Sequence, residues 1–155
     1  MKIIFQLAIL SIFSISCNQK LDKARIKDGD NAMVGTWKLM SGTLIEKGDT
    51  TVTDYTKKLS FIKIINKTHF AFLQHDLNKG KDSVAIFSAG GGEYSLKDSL
   101  YTEKLEYCSA REWEGHDFPF TVTINGDTLI QNGVEIVESA GINRINIEKY
   151  VRVKE

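Results

Sequence analysis

Residues 93–108 read EYSLKDSLYTEKLEYC, and the way this stretch folds back on itself decides the class of the protein. A two-residue turn at Asp98-Ser99 sets Lys97 opposite Leu100, Leu96 opposite Tyr101, Ser95 opposite Thr102, Tyr94 opposite Glu103 and Glu93 opposite Lys104. Side chains in a strand alternate between two faces. Tyr94, Leu96, Tyr101, Glu103, Leu105 and Tyr107 therefore share one face, and Ser95, Thr102 and the opposite-charge pair Glu93/Lys104 share the other. A hairpin with one apolar face must bury it against another layer or inside a closed sheet. Glu103 is the anomaly, a carboxylate in the middle of the more apolar face.

The same period-two pattern recurs on both sides. Residues 35–47, GTWKLMSGTLIEK, alternate through Trp37, Leu39, Ser41, Thr43 and Ile45. GDTTVTD turns into the run KKLSFIKII at 57–65, which Asn66-Lys67 links to THFAFLQHD. DLNKGKDS is a turn cluster, and VAIFSAGGGEYSLK at 84–97 carries three successive glycines, at which a bend is expected. AREWEGH suits a helical turn. FPFTVTI and DTLIQNG form a second hairpin through Asn125-Gly126, residue types that tolerate the positive φ of a tight turn. There Val122 is set opposite Leu129 and Phe120 opposite Gln131, with Phe118, Phe120, Val122, Ile124 and Leu129 on one face. RINIEKYVRV at 144–153 closes the chain, and 132–143 is assigned no element. No window carries an apolar stripe at helical spacing over several turns. With one proline in 155 residues, the chain suits a continuous antiparallel sheet. The expected fold is all-β, an up-and-down barrel of about eight to ten strands, whose closure removes exposed edges. Such a barrel is either filled by side chains or holds one small ligand.

The N-terminus has its own logic. Lys2 precedes the apolar run IIFQLAILSIFSI, too short for a membrane-spanning helix of about 20 residues but of the length and flanks of a secretory signal. Ser14-Ile15-Ser16 before Cys17 resembles a bacterial lipoprotein cleavage box, with Ser14 where the usual leucine stands. The resemblance implies a signal peptide at 1–16, a lipid on Cys17, export across the inner membrane and anchoring in the cell envelope, at the outer membrane. Residues 18–32 are polar and charge-mixed and read as a tether, about 50 Å long if extended at ~3.3 Å per residue. The barrel domain is then 33–155. Lys plus Arg and Asp plus Glu number 20 each, so no basic stripe invites nucleic acid. Lipidation leaves Cys108 as the one thiol, which excludes an internal disulfide. Cys108 lacks an adjacent base and reads as a small packing residue.

Gly35-Thr36-Trp37 resembles the GxW that opens the lipocalins and other calycins, in which a basic residue of the last strand packs over the tryptophan at the closed end. The resemblance makes Trp37 a barrel plug and offers Arg152, or Arg144, as its cover. SFIKIINKTHFAF, GGGEYSL and YTEKLEY are similar to an uncharacterised bacterial lipocalin-like family whose members are commonly lipoproteins or secreted. This likeness covers most of 33–153 and implies a lipocalin-like barrel, without an established ligand.

Candidate ligand-contacting residues are His69, Tyr94, Tyr101, Glu103 and Tyr107. Buried unpaired, Glu103 would be costly, and the phenols can donate to it. The set reads equally as a structural network. His69 and His75 share a face about 20 Å apart at ~3.3 Å per residue and cannot hold one ion. His116 beside Glu114 and Asp117 is thin support for a metal, and neither metal nor cofactor is expected. The glycine run lacks the lysine and helix of a phosphate loop, and neither GxSxG nor HExxH occurs. Glu103 and Glu106 point to opposite faces and form no catalytic pair. Phe61, Phe70, Phe72, Phe118 and Phe120 are core candidates. These features favour a non-enzymatic binding module with a small apolar or amphipathic ligand. The alternative is a packed barrel that meets an envelope protein or glycan through its outer surface.

Overall fold

The computed structural model describes residues 32–81, 83 and 85–154. The signal segment, Cys17 and the tether up to residue 31 lie outside the described residues. The strands are β1 (Gly35–Glu46), β2 (Asp49–Asp54), β3 (Leu59–Ile65), β4 (His69–Asp76), β5 (Phe87–Lys97), β6 (Leu100–Leu105), β7 (Tyr107–Cys108), β8 (His116–Asn125), β9 (Thr128–Val137) and β10 (Ile142–Arg152). Neighbours run β10-β9-β8-β6-β5-β4-β3-β1, and β1 pairs with β10, closing eight antiparallel strands into a barrel. β2 lies against β1, and β7 against β5. Every ladder of the barrel closes within residues 35–152. GDTTVTD is thus a strand rather than a turn.

Two bulges place side chains differently from uninterrupted alternation. The register of β1 against β10 shifts between Leu39 and Ser41. One inserted residue sends every later side chain to the opposite face. Trp37 and Leu39 are buried, but beyond the bulge Gly42 and Leu44 face the interior and Ile45 faces out. The second bulge follows β6. Tyr94 faces Glu103, Ser95 Thr102, Leu96 Tyr101 and Lys97 Leu100, the register expected for this hairpin, with Asp98 at φ 55° in the turn. Farther on, Gly91 faces Tyr107 and Gly90 faces Cys108. That is one residue out of step, so the ladder ends before Glu93 can face Lys104. Tyr107 is consequently 68% exposed outside the barrel, and Cys108 turns inward. The expected sharing of a face by Tyr107 and Glu103 is corrected by this bulge.

The glycines sit opposite it. β5 runs unbroken through Gly90-Gly91-Gly92, so the irregularity lies in the facing strand rather than in a bend of β5. A Cβ on Gly92 would collide with the Lys104 carbonyl, and one on Gly91 with the Phe70 carbonyl. In the β8–β9 hairpin the turn is Gly126-Asp127, with Asn125 still paired to Thr128, Ile124 to Leu129 and Val122 to Gln131. Gly126 takes the positive φ, 56°. The pairing is two residues from that expected, and a slip of two preserves faces. Phe118, Phe120, Val122 and Leu129 are all buried. Residues 132–143 hold the end of β9, a 3-10 turn at Glu138–Ala140 and the start of β10.

One end of the barrel is plugged. Trp37 is wholly buried, and its Nε1–H donates to the Met33 carbonyl at 2.7 Å. The Arg152 guanidinium lies 4.0 Å from the centre of the Trp37 ring and donates to the Val34 and Ala32 carbonyls at 2.8 and 2.6 Å. Arg152, not Arg144, takes this position. Above the plug, Ile65, Phe70, Tyr101, Leu129 and Tyr150 fill the lower barrel.

Candidate functional site

The opposite half of the barrel is hollow. A cavity of about 340 Å³ lies between the filled layer and the end that carries the β9–β10 turn. Its walls are aromatic: Phe61 from β3, Phe72 from β4, and Phe118 and Phe120 from β8, with Tyr55 and Trp113 also lining it. Each arrives by period-two alternation. Phe118 and Phe120, for example, alternate with exposed Asp117 and Pro119.

The floor is charged. Lys63 comes from β3 between inward Phe61 and Ile65, and it is 2% exposed. Its Nζ donates to Glu103 Oε1 at 2.6 Å and to Gln131 Oε1 at 3.1 Å, and it lies 3.8 Å from Glu148 Oε2. The Tyr150 hydroxyl donates to Glu148 Oε2 at 2.9 Å. Burial alone would lower the Lys63 pKa, but the Glu103, Glu148 and Glu135 carboxylates outweigh it and hold the ammonium above its usual range. Burial pushes the Glu103 carboxyl up, against the opposing pull of Lys63. The Tyr101 hydroxyl faces Glu103 outside hydrogen-bond geometry, and burial together with that negative charge keeps it un-ionised. Nearer the open end, Arg144 Nε donates to Glu135 Oε2 at 2.7 Å and Asn146 Nδ2 to Glu135 Oε1 at 2.7 Å. The Arg144 guanidinium lies 5.2 Å from the centre of the Trp113 ring.

The candidates from the sequence separate in space. Glu103 lines the cavity, and Tyr101 lies buried beneath it. Tyr94 is half-buried toward the plugged end, its hydroxyl donating to the Asn66 carbonyl at 2.8 Å and its ring 5.2 Å from Tyr101. His69 is exposed on the outer face, its Nδ1 2.8 Å from Thr68 Oγ1, and His75 is exposed as well. His69 and Tyr107 thus lie outside the cavity, because both sit at outward positions of their strands. Cys17 lies outside the described residues. Cys108 lines the cavity, and burial pushes its thiol pKa up. Among the described residues, no group of three or more His, Cys, Asp or Glu is arranged to hold a metal ion.

Lys63, Gln131, Glu135, Arg144, Asn146 and Glu148 were missed. A signal for them was present: Lys63 shares parity with Phe61 and Ile65, Gln131 with Leu129, and Glu148 with Tyr150. A lysine and a glutamate, each central on an apolar face, are complementary. A scan against protein-family models and a search of curated proteins found no match for this chain.

Proposed function

We propose that the protein is a non-enzymatic binding module, a lipid-anchored barrel of the cell envelope whose cavity takes one small amphipathic molecule. The observation that carries this reading is the cavity itself: about 340 Å³, with aromatic walls over a buried polar floor. Small-molecule sites span ~300–1,000 Å³ and combine apolar walls with a few convergent polar groups. The aromatic rings supply burial, and the floor fixes orientation. The anchor rests on the residues around Cys17. The test is titration of residues 18–155 with the neutral fluorophore phenylnaphthylamine, repeated on Glu103→Gln. Saturable one-to-one binding, weaker in the variant at unchanged fold, is expected. No binding to either form removes the cavity reading.

A second reading has its own support. Leu73, Phe87 and Tyr107 are 42%, 72% and 68% exposed on the outer face of β4, β5 and β7. Leu73 and Tyr107 line a shallow groove over Gly90 and Gly91, and Phe87 lies two residues along β5 from its edge at Ala89. This is the surface through which the barrel would meet an envelope protein or glycan if the cavity takes no ligand.

A further inference from the structure

The charge balance of the cavity narrows its ligand. We infer that the bound molecule carries a protonated amine, with an acceptor oxygen close to it, on an apolar body. This rests on the cavity being a binding site.

Three carboxylates, Glu103, Glu135 and Glu148, line the cavity against two cations, Lys63 and Arg144. The pairing is uneven. Arg144 and Asn146 occupy both oxygens of Glu135 at 2.7 Å each. Lys63 holds Glu103 at 2.6 Å and reaches Glu148 only at 3.8 Å. Glu148 is left with the Tyr150 hydroxyl and a shared, more distant ammonium. A carboxylate largely removed from water without its own countercharge is costly, and an ammonium entering the cavity offsets that cost. The aromatic walls favour the same charge, because the ring face is negative. A carboxylic acid would place a fourth negative group in the cavity.

A second, independent observation lies beside Glu148. Gln131 is 1% exposed and lines the cavity, and its Nε2 is buried without a hydrogen-bond partner. The amide orientation is set by Lys63, which can only donate, so the carbonyl turns to Lys63 and the NH₂ is the free end. A buried donor left unpaired asks for an acceptor. Gln131 and Glu148 face each other across β9 and β10, so one small polar head meets both. The amine goes to Glu148 and the oxygen to Gln131, while Phe61, Phe118 and Phe120 cover the body.

Calorimetric titration of residues 18–155 at neutral pH with four probes of one apolar body tests this: phenylethanolamine, phenethylamine, phenethyl alcohol and phenylacetic acid. Phenylethanolamine should bind best, phenethylamine at least tenfold better than the alcohol, and the acid should not saturate. Glu148→Gln should weaken both amines about tenfold and the alcohol far less, so that the amines lose their advantage over it. Gln131→Leu should remove the advantage of phenylethanolamine over phenethylamine. The ranking in the unaltered protein stands without either variant. An acid that binds best, or amines no better than the alcohol, overturns the inference and leaves the cavity reading intact. Failure of all four probes and of phenylnaphthylamine overturns both.

Discussion

Lys63 and Glu103 reside on strands that do not pair, and they meet only across the barrel interior. Removing one partner of such a buried pair leaves the other charged and desolvated, which costs ~3–5 kcal/mol. Lys63→Met should lose stability of that order in urea denaturation, and Lys63→Met combined with Glu103→Leu should recover much of it. The loss should depend on pH. Burial already raises the folded pKa of Glu103 above its ordinary 4.5, and losing Lys63 raises it further. The folded variant then holds the proton more tightly than the unfolded chain. Its deficit is relieved below about pH 4.5 and grows as pH rises through the folded value. Urea midpoints of both proteins across that window check the sign. Glu103 was legible in the sequence because an acid on an apolar face stands out. Lys63 carried the same kind of signal, inward parity between Phe61 and Ile65, but its pairing with Glu103 was not legible, because only closure of the barrel brings these two unpaired strands face to face.

At the scale of the element, the β5–β6 hairpin was legible in register because its two-residue turn and its faces agree. The bulge at 104–106 was not, since no residue in KLE announces an inserted position. Gly92 did mark it, but on the opposite strand: it clears space for the Lys104 carbonyl rather than bending its own backbone. Gly92→Ala forces a backbone clash there and should cost more than ~2 kcal/mol, in the range of overpacked sites. Thermal melting of the variant checks this, and an unchanged melting temperature would contradict it. The β4–β5 connection is organised by Asp76, whose carboxylate accepts the Gly80 N–H at 2.8 Å and the Ile86 N–H at 3.0 Å. These bonds hold its pKa below the ordinary 3.8. Its contribution is therefore present above 3.8 and lost as pH falls through the lowered folded value. The Gly80 and Ile86 amide resonances should titrate with a midpoint below 3.8, and Asp76→Asn should abolish that step.

For the whole molecule, fold class followed from alternation, short links and scarce proline, which together leave a closed antiparallel sheet as the way to bury so many half-apolar strands. The hollow upper half did not follow. Parity tells which side chains share a face, but a cavity depends on whether their summed volumes fill the space. Small inward residues such as Gly42, Ser88 and Ala110 leave this one open. The anchor is read from the residues around Cys17. Cys17→Ser should abolish incorporation of labelled palmitate and move the protein from the membrane to the soluble envelope fraction. Retention of label in that variant would contradict it. The central claim is that a small amphipathic molecule occupies the inside of the barrel. The most direct measurement is intermolecular nuclear Overhauser contacts from saturating phenylnaphthylamine to the protein's aromatic side chains. Contacts to Phe61, Phe118 and Phe120 are predicted. Contacts confined to Phe87 and Tyr107 would place the ligand on the outer face and contradict the claim.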